Sequence, residues 1–597
     1  MESIKKLVFD LYDFKYDNDI KEVPSQKGVY VKYDETCAEV GGSTTPELMR
    51  AYMLFAKNIK EGKKEFCIEE TACFKNVGVF LDISRNAIPH VHKMKEFILH
   101  IASMGLNKLI LYMEDSYELE GYPHLGYMRA RYSISQLRDI DDYASSLGVE
   151  VVPEVQVLGH MTMYLQWFES GPIKDTQHVM LADDENTYKF IETQMSTLRK
   201  AFPNLKHIYI GCDETHDLGQ GSYFDKHGYV DKNTIYNRHL AKVIEICRKY
   251  GFEEIYGSAD MYFRNASNGS GYYFPDVVFD PEVVKNIPDM NLQYWDYYHR
   301  DPEMYSKLFV KHRELGRPIA FLGGIWTWSG HLLSSTHTLN TMYPAFTEAI
   351  KAGMDYVAVS MFGDDGAECD YWQGLPFVSI LSEICYKGLD CTREDVIDMI
   401  EYQSGTSWDV YESMGEYIDH ANEDMQIAIA KNILYTNMFY QFVYTDKSFS
   451  ELRHIFKNGY DTIRNSNGYK FKDFAEVISK IVLSKIDIMA ELRTRYKDKA
   501  YSQNLIDTIL PELIEDYKKL SEIHRKQWLE TYQPFGYELV NGRYGWAIAD
   551  LELQIHRLKQ YVNGEIDSIE ELERETHPGL RGGLNWFRGA VSASWHF

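Results

Sequence analysis

Short apolar runs alternate with amphipathic helical segments through the middle of this chain, and that alternation limits its fold more than any other feature. The segment 90–105 shows the helical pattern, because apolar residues recur at three- and four-residue spacing and a glycine closes it. Alternating strands and helices predict a parallel sheet with helices packed against it. The eight apolar runs are 77–83, 106–113, 148–155, 205–211, 253–260, 290–298, 319–326 and 354–362.

Eight repeats over roughly 300 residues fit a (β/α)8 barrel, whose usual size is near 250 residues. A doubly wound open sheet is the competing topology. The chain contains neither a GxGxxG nor a Walker motif, which weakens that alternative. We therefore predict an α/β fold built on a (β/α)8 TIM barrel.

The chain has 597 residues, too many for one hydrophobic core, so we expect further domains around the barrel. We predict a small N-terminal α/β domain over 1–75, the barrel over 76–390 and a C-terminal helical domain over 391–597. Apolar–polar periodicity predicts helices over 394–403, 408–431, 471–496 and 507–531. The aromatic, glycine-containing end, 582–597, is a candidate to pack onto another surface.

Charge and cysteine usage exclude several classes of function. A formal charge of −26 leaves no basic surface for nucleic acid and disfavours an anionic membrane. No run of about 18 apolar residues occurs, so we expect no membrane span. The acidic segment 1–18 does not resemble a signal peptide. The eight cysteines form no CxxC pair, which favours free thiols in a reducing compartment, and a cytoplasmic location is the resulting prediction.

Catalytic side chains in a barrel lie where its strands end. The fourth run ends at Gly211, and Asp213 and Glu214 follow it. Neighbouring residues of an extended chain point in different directions, so this pair can address two atoms of one substrate. One carboxyl would act as general acid and base, and the other would hold a nucleophile that belongs to the substrate. A bare Asp-Glu dipeptide is more often a helix cap or a surface loop, and its place at a strand end is what favours chemistry.

Three segments resemble motifs of glycoside hydrolase family 20, the β-N-acetylhexosaminidases, in order and in spacing. HIYIGCDET (207–215) resembles the family signature HIGGDE, and VGVFLDISRNAIP (77–89) resembles the family's first barrel strand. PEVQVLGHM (153–161) resembles its PEIDMPGHA. The resemblance covers about residues 76–370, and THDLGQGSY with the helical C-terminal region resembles one bacterial, intracellular branch.

The resemblance implies an exo-acting, retaining enzyme that needs no metal or organic cofactor. Glu214 would protonate the leaving oxygen and then deprotonate water. Asp213 would orient the 2-acetamido group of the substrate, whose oxygen attacks C1 to form an oxazolinium intermediate. His160 would hydrogen-bond near the general acid, with Asp115 as its partner in a chain that keeps this acid protonated.

The resemblance also implies how the terminal sugar is bound. Arg85 would contact two vicinal hydroxyls, unless it forms only a structural salt bridge to Asp82. Tyr294 would donate its hydroxyl to the acetamido oxygen, and Asp296 would contact the rim of the sugar. A slip of register towards Tyr297 stays open.

Aromatic and acidic residues after the last two strands complete the expected pocket. Trp326, Trp328 and Trp372 would wall the acetamido pocket or stack under the ring, and plain core packing is their alternative. Asp364 and Glu368 would bind the 4- and 6-hydroxyls, and a solvated acidic loop is their alternative.

The sequence departs from the family pattern at three positions, which changes the expected pocket shape but not the acid pair. Gln156 stands where the family usually has Asp, Phe362 where a Trp usually precedes the strand-eight acid, and Ala259 where a pocket Trp is common. His90 and His92 form an HxH inside a predicted helix, so we do not expect them to bind zinc.

Two other functions stay open: a non-catalytic sugar-binding barrel and a metal-dependent barrel hydrolase. The expected substrates are short oligosaccharides or glycans with a terminal β-linked N-acetylglucosamine or N-acetylgalactosamine. The sequence does not decide between these two sugars, nor does it decide the linkage. The oligomeric state also stays open, although the helical C-terminal region offers a surface for a homodimer.

Overall fold

A computed structural model provides the structure of the protein. It describes residues 3–25, 27–418, 429–441 and 448–575. The C-terminal segment 582–597, which we expect to pack onto another surface, lies outside the described residues.

A small four-stranded sheet with two helices precedes the barrel. Its strand order is β1-β3-β2-β4, with β2 antiparallel to both β3 and β4. A capping box between Thr44 and Glu47 starts the second helix, as that sequence pattern favours. The elements are α1 (Ile4–Leu11), β1 (Lys21–Glu22), β2 (Val29–Asp34), β3 (Cys37–Gly41), α2 (Thr45–Lys60) and β4 (Glu65–Glu70). This unit matches the predicted small α/β fold, while its predicted boundary at residue 75 stays a prediction.

Eight parallel strands close into a barrel, and each coincides with one of the eight apolar runs. The last strand pairs with the first, with Val357 opposite Val77, so the sheet has no free edge and the open-sheet alternative is wrong. The strands are β5 (Asn76–Asp82), β6 (Lys108–Tyr112), β7 (Glu150–Gln156), β8 (His207–Gly211), β9 (Glu254–Ser258), β10 (Asn291–Trp295), β11 (Ile319–Gly324) and β12 (Tyr356–Met361).

Helices surround the barrel, and the longer ones bury an apolar face. The first of them buries Met94, Phe97, Ile98 and Ile101, which share one face at helical spacing. Gly105 follows it with a φ of 90°, a conformation that glycine adopts without strain. The helices are α3 (Val91–Ser103), α4 (Ile134–Ser146), α5 (Thr162–Leu165), α6 (Glu185–Ala201), α7 (Ser222–His227), α8 (Lys232–Lys249), α9 (Asp260–Ala266), α10 (Pro281–Lys285), α11 (Pro302–Arg313) and α12 (Ser335–Lys351).

The remainder of the described chain is helical, as predicted. Its helices are α13 (Tyr371–Gly374), α14 (Ser379–Lys387), α15 (Arg393–Ser404), α16 (Trp408–Ile418), α17 (Ile429–Tyr435), α18 (Phe449–Asn465), α19 (Lys472–Arg495), α20 (Lys499–Asn504), α21 (Leu510–Thr531), α22 (Tyr537–Val562) and α23 (Glu570–Glu573). A π-helical turn, Leu505–Ile509, joins α20 to α21. The helix predicted over 408–431 corresponds to α16 and the start of α17, and 419–428 lie outside the described residues.

Two of the longer helices in this set, α18 and α22, do not coincide with any predicted segment. Gly542 and Gly545 interrupt the pattern of α22, and each interior glycine costs a helix about 1 kcal/mol relative to alanine. Buried side chains such as Leu539, Tyr544 and Leu551 hold α22 in place. Tertiary packing therefore overrides the local preference of this segment.

Two further observations concern the whole described chain. All eight cysteines are free thiols. Among the helices in the described ranges, none combines the length and the apolar character that a bilayer crossing requires.

Candidate active site

Polar side chains that follow four barrel strands meet at one face of the barrel. Glu114 follows β6, His160 follows β7, Asp213 and Glu214 follow β8, and Asp364 follows β12. Because all eight strands are parallel, their carboxyl ends form a single mouth. The predicted acid pair, the predicted histidine and the predicted strand-eight acid therefore share this mouth.

His160 contacts both carboxylates of the acid pair. Its Nε2 lies 3.2 Å from Oδ2 of Asp213 and 3.5 Å from Oε2 of Glu214. Its Nδ1 lies 3.8 Å from Oε1 of Glu114. The imidazole thus occupies the centre of three acidic groups.

The backbone at this centre is strained. His160 and Glu214 have φ values of 48° and 51°, in the left-handed region that non-glycine residues rarely adopt. Gly159 precedes the histidine, and a Cβ there would stand 2.4 Å from the carbonyl oxygen of Asp213. Strained conformations of this kind cluster at functional sites, because the surrounding structure must hold them.

Electrostatics determine where a proton rests among His160, Asp213 and Glu214. Burial lowers the pKa of His160, but the charges of Asp213 and Glu214 outweigh burial and hold that pKa well above 6.5. Burial raises the pKa of each carboxyl, but the hydrogen bond and charge of His160 lower both pKa values overall. The raised pKa of His160 and the lowered pKa values of the two carboxyls therefore favour a proton on His160 over one on Asp213 or Glu214.

The outer side of Glu214 is open to solvent and bordered by two residues that sequence analysis did not select. Its side chain is 40% exposed. Its backbone N–H donates to Oδ2 of Asp260 at 2.9 Å, and the Tyr272 hydroxyl donates to its Oε1 at 3.3 Å. Burial and the nearby charge of Asp213 raise the pKa of Asp260 to about 7. The side chain of Glu214 can thus contact a group that enters from solvent, while the hydrogen bond to Asp260 holds its backbone.

Arg85 lies beside the acidic groups and contacts Asp82, Glu114 and Tyr112. Its guanidinium donates to Asp82 at 3.2 Å, pairs with Glu114 at 3.2 Å and packs over the Tyr112 ring at 4.8 Å. The structural salt bridge to Asp82 is therefore present. Burial raises the pKa of Asp364 to about 6, although the nearby charge of Arg85 lowers it.

An aromatic wall lines the side of the mouth formed by β10, β11 and β12. Trp326 and Trp328 stack with ring centroids 4.6 Å apart. Tyr297 meets Trp328 at 5.0 Å and Phe362 at 6.0 Å. Burial raises the pKa of the Tyr297 hydroxyl, and the charges of Tyr298, Asp364 and Glu214 raise it further. Two of the three predicted tryptophans thus belong to this wall.

Tyr294 and Asp296 lie outside the mouth. The Tyr294 ring stacks on His312 of α11 at 3.9 Å, and its hydroxyl donates to Asp296 at 2.7 Å. Asp296 is fully buried and also accepts a hydrogen bond from the backbone of Tyr298. The alternation of side chains along β10 turns Tyr294 towards the helices, while Tyr297, the residue of the open register, packs in the aromatic wall.

Three other predicted residues have partners away from the acid pair. Asp115 accepts two hydrogen bonds from Arg129, at 2.9 and 3.0 Å, and Glu114 takes the position beside His160. Glu368 is buried against cations of the C-terminal helices. Trp372 packs between Phe97 and Tyr532. The structure does not bring these three side chains to His160.

Some of the missed residues carry a signal that sequence analysis could have used. Asp260 follows β9 directly and Glu114 follows β6, the same strand-end position that identified Asp213. Tyr272 lies in the irregular segment after α9, where no pattern marks it. His90 and His92 stack on each other at 5.5 Å around the start of α3, away from the strand ends.

Comparisons with known families match both parts of this architecture. The model for the glycosyl hydrolase family 20 catalytic domain matches residues 74–250, and that for the Glycoside Hydrolase 20C C-terminal domain matches residues 413–581. Together the two matches cover more than half of the chain, and the first includes His160, Asp213 and Glu214.

Individual relatives are similar over shorter stretches. Hexosaminidase D of Bos taurus is 27% identical over 148 residues, which is 24% of this chain and 42% of that protein. Hexosaminidase D of Homo sapiens is 26% identical over 146 residues, which is 24% of this chain and 30% of that protein. The chain thus spans less than half the length of these curated relatives. A family 20 β-N-acetylhexosaminidase structure from Streptomyces coelicolor covers 67% of this chain and 88% of its own at 15% identity and a TM-score of 0.48.

Proposed function

Since the chain belongs to glycoside hydrolase family 20, we propose that it is an exo-β-N-acetylhexosaminidase acting on oligosaccharides. It would release terminal non-reducing β-linked N-acetylglucosamine or N-acetylgalactosamine. The observation that supports this most is the adjacent pair Asp213 and Glu214, which share His160 at the barrel mouth. Adjacent carboxylates suit a reaction in which the substrate supplies its own nucleophile, as family 20 enzymes are known to do.

In the first step the 2-acetamido oxygen of the sugar attacks C1 while the bond from C1 to the leaving oxygen breaks. Glu214 protonates that oxygen, and its partly exposed side chain stands where the leaving group departs. Asp213 accepts the N–H of the acetamido group, which orients its oxygen and stabilises the charge of the oxazolinium intermediate. Holding the internal nucleophile in attack geometry supplies much of the rate by proximity.

The proton that Glu214 delivers is the one that rests on His160 in the free enzyme. The two side chains are 3.5 Å apart, close enough for transfer once an approaching leaving oxygen favours the acid form of Glu214. Glu114 lies on the far side of the imidazole and supports its positive charge. Glu114 thereby takes the supporting role that the sequence suggests for Asp115.

In the second step water attacks C1, the bond from C1 to the amide oxygen breaks, and Glu214 removes a proton from the water. Two displacements at C1 retain the configuration of the sugar. Arg85 and Asp364 would contact the outer hydroxyls, and the aromatic wall would hold the acetamido methyl, with the Tyr297 hydroxyl near the amide oxygen.

A hydrolysis panel tests this proposal. We expect turnover of aryl N-acetylglucosaminide or N-acetylgalactosaminide and none of aryl glucoside, which lacks the acetamido nucleophile. Glu214→Gln should lower kcat by about 10²–10⁴-fold with a poor leaving group and far less with an activated one. A thiazoline mimic of the intermediate should bind far more tightly than the substrate.

Matched controls separate the alternatives. Glu245→Gln makes the same acid-to-amide change on the outer face of α8, where the side chain is 69% exposed, and should leave the rates unchanged. Brisk cleavage of the glucoside would contradict substrate assistance. Loss of activity after chelation would favour a metal-dependent hydrolase, and saturable sugar binding without turnover would favour a non-catalytic barrel.

We further propose that the enzyme acts in the cytoplasm on short, imported oligosaccharides. Its eight free thiols are consistent with a reducing compartment. A homodimer formed through the C-terminal helices stays a prediction, which sedimentation at several protein concentrations would test.

A further inference from the structure

The loop after the last barrel strand carries four acids within seven residues and has an unusual backbone. This acidic loop, residues 363–370, contains Asp364, Asp365, Glu368 and Asp370. Residues 365, 366 and 367 are consecutively left-handed, with φ values of 62°, 97° and 55°. Only the middle one is glycine, so the loop needs outside contacts to keep this shape.

Two cations from the C-terminal helices supply those contacts. Lys431 of α17 pairs with Asp365 at 2.7 Å and with Glu368 at 2.5 Å. Arg543 of α22 donates to the Glu368 carboxylate at 2.7 Å, to the Asp365 carboxylate at 3.0 Å and to the Asp365 carbonyl at 2.7 Å. Both cations are 3% exposed or less.

The buried charges in this cluster depend on one another. Burial raises the pKa of Glu368, but Lys431, His331 and Arg543 together hold it well below its ordinary value. The Tyr435 hydroxyl adds a hydrogen bond to Glu368 at 2.9 Å. A buried carboxylate that loses a paired cation is unfavourable, so both cations stabilise the loop in this place.

The segment between α21 and α22 contacts the neighbouring loop of the mouth, which carries Arg85. The backbone N–H of Gln533 donates to the carbonyl of Ile88 at 2.9 Å. A Cβ on Gly536 would stand 2.3 Å from the Cβ of Asn86, the residue after Arg85. The C-terminal helices therefore pack against both loops that would meet the outer hydroxyls of the sugar.

We propose that Lys431 and Arg543 are positioning residues, which hold the acidic loop so that Asp364 faces the terminal sugar. This inference rests on the proposed function, because it gives the C-terminal helices a part in sugar binding. The barrel end of the loop is already fixed, since the backbone N–H of Gly363 donates to Asp82 at 2.9 Å. The cations fix the other end, and Asp364 lies between the two anchors.

Substitution of the cations tests the proposal. In Arg543→Met and in Lys431→Met we expect kcat/KM to fall about tenfold or more, mainly through a higher KM. The basic limb of the pH profile should not move, because His160 and the acid pair are untouched. Arg493→Met is the matched control, since Arg493 donates to the carbonyls of Phe439 and Leu572 within the C-terminal helices.

A double-mutant cycle separates positioning from general destabilisation. In an Asp364→Ala background, Arg543→Met should raise KM by less than about twofold, because the side chain it positions is gone. If the two losses instead multiply, the cation acts elsewhere and the inference is wrong. An unchanged KM in stable Arg543→Met and Lys431→Met variants would overturn it as well.

Hydrogen exchange provides a readout that does not need turnover. Backbone amides of 363–370 should exchange faster in Arg543→Met than in wild type and Arg493→Met, and unchanged exchange would contradict the proposal. If the cation variants do not fold, Gly366→Ala strains the loop instead, because residue 366 has a φ of 97° and its Cβ would stand 2.7 Å from Cδ2 of Leu539. Lack of turnover by the wild-type enzyme would count against the proposed function, and the exchange result would still decide whether the helices hold the loop.

Discussion

The imidazole of His160 lies between three carboxyl groups, and its protonation affects whether each of them is neutral or charged. Its contacts to Asp213, Glu214 and Glu114 make the protonation of the site a property of the group and not of one residue. Catalysis as proposed needs one proton in the group: with none, Glu214 cannot act as an acid.

This requirement predicts the alkaline limb of the pH profile. Because the pKa of His160 is raised, its proton is present below that pKa and lost as the pH rises through it. We expect kcat/KM to stay high past pH 6.5 and then to fall with unit slope. Asp213→Asn removes an anion that raises this pKa, so the limb should move to lower pH even though the rate itself falls strongly.

The measurement is kcat/KM of both enzymes with an aryl N-acetylglucosaminide between about pH 4 and pH 10. A limb at the ordinary histidine pKa in the wild type, or no displacement in Asp213→Asn, would show that His160 does not hold the catalytic proton.

A second prediction concerns two tyrosines three residues apart. Tyr297→Phe removes the hydroxyl that we propose lies near the amide oxygen of the substrate, and we expect kcat to fall by about 10²-fold, as for loss of one donor to a developing charge. Tyr294→Phe is the matched control, because its hydroxyl meets Asp296 in the helix layer.

Tyr294→Phe should leave kcat nearly unchanged and reduce the free energy of unfolding by about 1 kcal/mol through the lost hydrogen bond. Steady-state kinetics and urea unfolding of both variants give the comparison. The opposite pattern, with kcat lost only in Tyr294→Phe, would return the catalytic role to the residue first expected from sequence.

At the scale of elements, charged side chains link the N-terminal ends of four neighbouring barrel strands. Lys108 of β6 pairs with Glu150 of β7, and His207 of β8 lies 2.5 Å from Glu150 and 2.5 Å from Glu254 of β9. These ends form the face of the barrel opposite the catalytic mouth. Barrels keep residues that serve stability at that face.

This network predicts a loss of stability in acid. Burial raises the pKa of Glu150, but His207 and Lys108 lower it overall to about 2. A depressed carboxyl pKa stabilises the fold above the unfolded value of 4.5, and that contribution is lost as the pH falls from 4.5 towards 2. We expect Glu150→Gln to cost about 1–2 kcal/mol at pH 7, allowing for solvent screening of a side chain that is 32% exposed.

Urea unfolding at pH 7 and near pH 3 measures the difference. The variant should be less stable than wild type at pH 7, and the difference should shrink by about half near pH 3, because the contribution is fully lost only below a pH of about 2. Glu120→Gln, which breaks an ion pair whose acid is 73% exposed, should change stability little at either pH. Equal destabilisation by Glu150→Gln at both pH values would mean that packing, and not charge, explains its effect.

Across the whole molecule, buried polar contacts join the three parts of the chain. Arg50 of α2 pairs with Glu383 of α14 at 2.8 Å, and Lys431 and Arg543 pair with the acidic loop. Backbone hydrogen bonds also join the segment after α21 to the loop before α3. Unfolding any one part would leave these charges and backbone groups without their partners.

We therefore predict a single cooperative thermal transition for the barrel and the C-terminal helices. Calorimetry should give equal calorimetric and van't Hoff enthalpies, and a saturating thiazoline inhibitor should raise the whole transition. At about 100 times Kd, the ligand contributes about 2.7 kcal/mol of stability. Two resolved transitions, with only one raised by the inhibitor, would show that the C-terminal helices unfold independently.

The sequence by itself determined the barrel, its eight strands and the position of the acid pair. Those features depend on local information: apolar periodicity sets each strand, and the chain position just after a strand places Asp213, Glu214 and His160 at the mouth. The family resemblance rested on the same segments. It therefore named side chains that meet at the barrel mouth but stated less about their surroundings.

Only the tertiary structure decided which neighbouring side chains face that centre. Glu114 and Asp115 are adjacent, yet one faces His160 and the other meets Arg129. Glu368 does not reach His160, and a cation 175 residues further along the chain pairs with it. Side-chain direction after a strand depends on left-handed turns and distant partners, and neither leaves a periodic pattern in the sequence.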